Sequence, residues 1–109
     1  MSTWLYRVTP ARLAMLTEGA TSAEEEAVGR HFAHLQDLCA AGVAHLAGRT
    51  LNTDRDIFGI VLFEAADEEA ARALMEADPA VAAGVFLARL FPYRVALLNG
   101  DSLARAAGA

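Results

Sequence analysis

The segment Asp56–Ala65, D-I-F-G-I-V-L-F-E-A, carries apolar side chains on both faces of an extended chain, a pattern suited to a central strand with both sides covered. A sheet must form around it. The segment Val43–Thr50 precedes it across the polar connection L-N-T-D-R, which predicts a hairpin. Trp4–Val8, W-L-Y-R-V, closed by Pro10, is a first strand. Arg89–Leu98 sets Phe91, Tyr93, Val95 and Leu97 against Arg94 and Arg89, and Pro92 marks an edge or a bulge in this last strand.

Two helices separate these strands. Ser22 followed by Glu25 has the spacing of a capping box, and Glu24, Glu25 and Glu26 place negative charge where the helix dipole is positive. The helix should run to about Ala41, where Gly42 supplies the C-terminal cap. At about 100° per residue, Val28, Phe32, Leu35, Leu38, Cys39 and Gly42 fall within roughly 120° centred on Leu35, which predicts the buried face. Asp67 caps a second helix with Ala70, Ala71, Leu74 and Ala77 on one face, and Pro79 interrupts it. The long connection 11–21 between the first strand and first helix should cross the surface.

The resulting order is βαββαβ, an α+β chain of the ferredoxin-like split-βαβ class with an antiparallel sheet. At 109 residues one domain is expected, over residues 1–98, with the alanine-rich stretch 99–109 as a fraying tail. Two helices cover only one face of such a sheet. The apolar character of the strands predicts a partner on the other face, namely a second copy, giving a homodimer that closes into a dimeric α+β barrel.

Composition excludes several chemistries. All nine basic residues are arginine, so Schiff-base chemistry and the phosphate-loop lysine are ruled out. A net charge of −5 argues against nucleic acid as a partner, and the apolar runs are too short to span a membrane. The single cysteine, Cys39, forms no intrachain disulfide, and a cytoplasmic location is the simplest expectation. The serines at 2, 22 and 102 offer no triad. His31, His34 and His45, even with Asp37, lack a completed ligand set, so no metal and no cofactor are expected.

Acid–base chemistry remains. His31 lies about 40° from Leu35 on the helical wheel, and an imidazole buried there needs a partner or costs roughly 1–3 kcal/mol. A backbone carbonyl would make it an ordinary core histidine. Asp78 matches an N-cap followed by Pro79, yet capping uses only one carboxylate oxygen. If the other met His31, the pair would set the imidazole tautomer and provide a general base. Arg7, Arg12, Arg49 and Arg94 are candidates for an anionic substrate oxygen, with Arg12 and Arg94 preferred. Tyr6 and Tyr93 read foremost as packing residues, with a hydroxyl donor as the alternative.

The pieces H-F-A-H-L at 31–35, Gly42, L-A-G at 46–48, F-G-I at 58–60, D-P-A-V-A-A-G-V-F at 78–86 and F-P-Y-R-V at 91–95 give the chain a resemblance to the YCII-related (YciI-like) family. That resemblance covers Trp4–Leu98. It implies a dimeric α+β barrel and a histidine–aspartate pair in a cleft, at His31 and Asp78. One branch of the family eliminates chloride from a chlorinated hydroxyquinol. His34 departs from the tyrosine frequent in relatives, and is carried as a substrate contact. The leading expectation is a small cofactor-independent lyase or isomerase acting on a hydroxylated cyclic or aromatic metabolite. A non-catalytic small-molecule-binding dimer and a cofactor-free oxygenase of quinol-like compounds are the alternatives.

Overall fold

Four strands, β1 (Ser2–Pro10), β2 (Ala44–Arg49), β3 (Gly59–Ala65) and β4 (Phe86–Pro92), pair antiparallel in the order β2-β3-β1-β4 in the computed structural model, which describes residues 1–108. The helices are α1 (Ala14–Thr17), α2 (Ser22–Ala40), α3 (Glu68–Glu76), α4 (Pro79–Ala82) and α5 (Gly100–Ala107). This is the expected ferredoxin-like α+β arrangement, with β1 and β3 central. On β3, Gly59, Val61, Phe63 and Ala65 are buried, while Ile60, Leu62 and Glu64 on the other face are half-buried. The period of two thus sends one side of the strand into the core of its own chain.

That core is formed by Trp4, Tyr6 and Val8 from β1, by Val61, Phe63 and Ala65 from β3, and by Leu35, Ala71 and Met75 from the helices. Tyr6 meets Phe63 edge-on, with ring centroids 5.7 Å apart. Opposed residues share a face, so Leu5, Leu46, Ile60, Leu62, Leu87 and Phe91 lie together on the side away from the helices. Arg7 and Arg89 flank Phe91 there, with guanidinium carbons 5.9 and 5.2 Å from the ring centroid. Arg7 therefore belongs to the open sheet face.

Several expectations need correction. The capping box of α2 is Thr21 with Glu24, one residue earlier than Ser22 with Glu25. Arg12 accounts for the choice, because its guanidinium holds the Glu24 carboxylate at 2.6 Å and fixes that residue at the helix entrance. At the other end the Gly42 assignment holds: its φ of 76° lets Val43 N–H donate to Leu38 O and Gly42 N–H to Cys39 O. The buried face of α2 is rotated from the one expected. Ala27 and Leu35 are buried, but Phe32 is 62% exposed and Cys39 is also exposed. On the wheel the packed side centres about 40° toward His31, since Ala27, His31 and Leu38 lie to that side of Leu35.

The last strand runs over Phe86–Pro92 instead of Arg89–Leu98. Register explains this: Pro92 already faces Trp4, Tyr93 N–H donates to Thr3 O, and β1 has almost no residues left to pair. Residues 99–108, read as part of a fraying tail, contain α5, whose N-cap Asn99 accepts from Ser102 N–H. Every residue of α5 is exposed. The connection 11–21 does cross the surface, but folds into α1, which buries Met15.

Candidate active site

Three elements converge on Asp78. It sits between α3 and α4, where the D-P-A-V-A-A-G segment forms one short helix closed at both ends. The Asp78 side chain accepts from Ala80 N–H at 3.0 Å, Pro79 occupies the first turn, and Gly84 ends the helix with a φ of 74°. This motif is thus a device for presenting one carboxylate at a fixed angle. From β1, the Tyr6 hydroxyl donates to Asp78 Oδ2 at 2.6 Å. From α2, His31 Nδ1 lies 2.7 Å from Oδ2 and 2.9 Å from Oδ1.

Asp78 is completely buried, and the His31 side chain retains 14% of its exposure. Burial acts to raise the carboxyl pKa, but the hydrogen bonds from His31 and Tyr6, the charge of His31 and the Ala80 amide outweigh it. The net shift is downward. Burial, followed by the hydrogen bond and charge of Asp78, pushes the Tyr6 hydroxyl well above its ordinary range, so it stays a proton donor. An ionised carboxylate only accepts, so Nδ1 of His31 must carry the proton facing it. Nε2 is then left with a lone pair whenever the ring is neutral, and it makes no hydrogen bond among the described residues. The Phe86 ring, edge-on to the imidazole at 5.0 Å and 88°, limits its rotation.

His31 lines a cavity of about 830 Å³ between α2 and the sheet. Its walls are largely apolar, including Phe32, Ile57, Phe58, Val61 and Phe86. The rotation of α2 thus turns Phe32 and Cys39 toward this hollow and keeps His31 at its inner edge. A smaller hollow of about 250 Å³ near Leu46, Thr50 and Phe58 contains none of the three convergent residues.

The other candidates are distributed differently. Arg12 makes hydrogen bonds to Glu24 at 2.6 and 2.9 Å and to Gly19 O, which ties the connection to α2, and it does not line the cavity. Arg94 is exposed beyond the end of β4 and also lies outside the lining. His34 is half-buried away from the cavity, and its Nε2 is buried with no hydrogen-bond partner. Arg49, the candidate ranked behind Arg12 and Arg94, does line the cavity. His45 pairs with Glu64 at 3.0 Å, away from His31, and no group of three metal-ligating side chains forms among the described residues.

In the sequence alone Tyr6 reads foremost as a packing residue. Its position between Trp4 and Val8 on the inward side of a strand was the available signal, since a buried tyrosine hydroxyl needs a partner. Phe86 gave no such signal, because only the turn at Gly84 brings it against His31.

The 5-chloro-2-hydroxyhydroquinone dehydrochlorinase TftG of Burkholderia phenoliruptrix AC1100, solved with 2,5-dihydroxybenzoquinone, is similar at 21% identity with a TM-score of 0.60, over 86% of this chain and 94% of that one. SnoaB, a cofactor-independent oxygenase from Streptomyces nogalater, aligns at 19% identity with a TM-score of 0.44, over 89% of this chain and 96% of its own. No curated protein matches the chain in sequence. The family model of the YCII-related domain matches residues 9–91, which include both His31 and Asp78. The chain belongs to the YCII-related domain family.

Proposed function

We propose that this protein is a small cofactor-independent acid–base enzyme, of lyase or isomerase type, acting on a hydroxylated cyclic or aromatic metabolite through His31 and Asp78. The observation that carries the reading is the 2.7 Å contact of His31 Nδ1 with a buried, ionised carboxylate at the edge of an apolar cavity. Asp78 accepts a hydrogen bond from Nδ1–H and leaves Nε2 as the base, which takes a proton from a substrate hydroxyl or an acidic C–H. The apolar walls suit a ring. Elimination of hydrogen chloride removes one proton and one chloride, so it requires neither an oxidant nor a reductant. TftG, which shares the fold, carries such a reaction in its name.

The test is chloride release from 5-chloro-2-hydroxyhydroquinone by wild type, His31→Gln and Asp78→Asn. The reading expects turnover by wild type and loss of turnover in a folded His31→Gln. Turnover retained by His31→Gln would refute the assignment of the base.

The second part of the proposal is a homodimer formed through the open sheet face. Leu5, Leu46, Ile60, Leu62, Leu87 and Phe91 form an apolar surface there that the chain's own helices leave uncovered. Sedimentation equilibrium at micromolar concentration should give twice 11.6 kDa. A species at the single-chain mass would overturn the dimer.

A further inference from the structure

We infer that the compound held in the His31 cavity bears a formal negative charge, and that Arg49 binds this charge while the reacting hydroxyl lies at His31 Nε2. The inference rests on the acid–base reading above and adds the class of substrate. The charged or titratable side chains lining the cavity include His31, Glu25 and Arg49, amid apolar walls. Arg49 has no carboxylate within ion-pairing distance among the described residues.

Of the other arginines five are engaged elsewhere, and Arg55, Arg94 and Arg105 lie outside the cavity wall. Arg12 pairs with Glu24, Arg30 with Glu26 and Arg72 with Glu68, while Arg7 and Arg89 stack on Phe91. Arg49 combines an unpaired guanidinium with a place in the rim shared by this cavity and the smaller hollow beside it. Its cross-strand partner is Gly59, so no opposing side chain crowds the arginine stem at the end of β2. A planar, permanently charged fork of donors suits a carboxylate or an ionised hydroxyl.

The apolar wall completes the picture. Phe32, Phe58 and Phe86 line the same hollow and suit a ring between the two polar ends. Glu25, in the first turn of α2, also borders the cavity and repels a second anionic group. The ligand this arrangement fits has an apolar ring, one ionised substituent and one hydroxyl available to a base.

Binding separates this inference from the catalytic one. Isothermal titration would compare salicylate and 2,5-dihydroxybenzoate with uncharged 2,5-dimethoxybenzoquinone, on wild type, Arg49→Gln, Arg49→Lys and His31→Gln. We expect at least one anionic compound to bind wild type more tightly than the uncharged quinone, with an affinity that declines as salt is added. Arg49→Gln should weaken that compound tenfold or more and leave the uncharged quinone unchanged, and Arg49→Lys should recover part of the loss. Equal binding of the anionic compound by wild type and Arg49→Gln would overturn the inference, as would the lack of any preference for anions in wild type. His31→Gln should keep the preference for anions whatever its effect on chloride release, so failure of the base leaves a distinct signature.

Discussion

The junction of Asp78, His31 and Tyr6 and the stretch from Tyr93 through α5 are opposites in how they satisfy their side chains. At the junction a fully buried carboxylate receives a tyrosine hydroxyl, an imidazole and a backbone amide, all from within one chain. Beyond Pro92, Val95 is 43% exposed, Leu97 94% and Leu98 73%, and the chain covers none of them well. The YCII-related match ends at residue 91, close to where β4 does. The His31–Asp78 contact is thus a product of the chain's own packing, whereas the C-terminal stretch is an appendage to it. Damage at the junction should therefore reach both stability and the site, and damage to the appendage should reach neither.

The largest effect is expected from Asp78→Ala. It orphans the buried Tyr6 hydroxyl, at roughly 1–3 kcal/mol, and removes the α4 cap, at roughly 0.5–2 kcal/mol. Urea unfolding at neutral pH should register a loss of about 2–5 kcal/mol in total, and a loss below about 1 kcal/mol would break the contrast. Tyr6→Phe comes next, at about 1.5–3 kcal/mol, because it removes one hydrogen bond to a charged acceptor.

Acidification sharpens the same comparison. The folded-state pKa of Asp78 is lowered, so its stabilisation is fully present above the ordinary aspartate value of about 3.9 and fades as pH falls through the folded-state value. The deficit of Tyr6→Phe measured in urea should accordingly narrow in strong acid. Glu24 behaves similarly at the surface, where the Arg12 hydrogen bond, aided by the Thr21 amide, holds its carboxyl down at about 2. Arg12→Ala should lower the thermal midpoint by less than Tyr6→Phe does, since exposed pairs contribute little. The smallest effect is expected from deleting residues 93–109. The unfolding free energy should stay within about 0.5 kcal/mol, the scale of changes at exposed positions.

These regions also differ in how legible they were in the sequence. The strands, the two long helices and the ferredoxin-like order follow from alternation, capping residues and breakers, all of them local signals. Asp78 and His31 could be singled out individually, one by its place before Pro79 and the other by its place on the wheel. Their contact could not, because it depends on how α4 lies against α2. The same limit explains Arg12 and Thr21. Two overlapping capping boxes fit the residues, and an arginine from the preceding connection decides between them. Arg94 reads as a strand residue because alternation continues through Leu97, but it lies beyond β4 because β1 offers no further partner. Arg49 carried no local sign of its position, since only the pairing of β2 with β3 brings it to the cavity.

The central claim is that Asp78 holds the His31 proton on Nδ1 and leaves Nε2 free to act as a base. Nitrogen-15 spectra of the histidine rings, recorded on wild type and Asp78→Asn with the imidazoles neutral, test it most directly. The account predicts a protonated Nδ1 and an unprotonated Nε2 for His31 in wild type, with that preference lost or reversed in Asp78→Asn. A wild-type ring carrying its proton on Nε2 would contradict it.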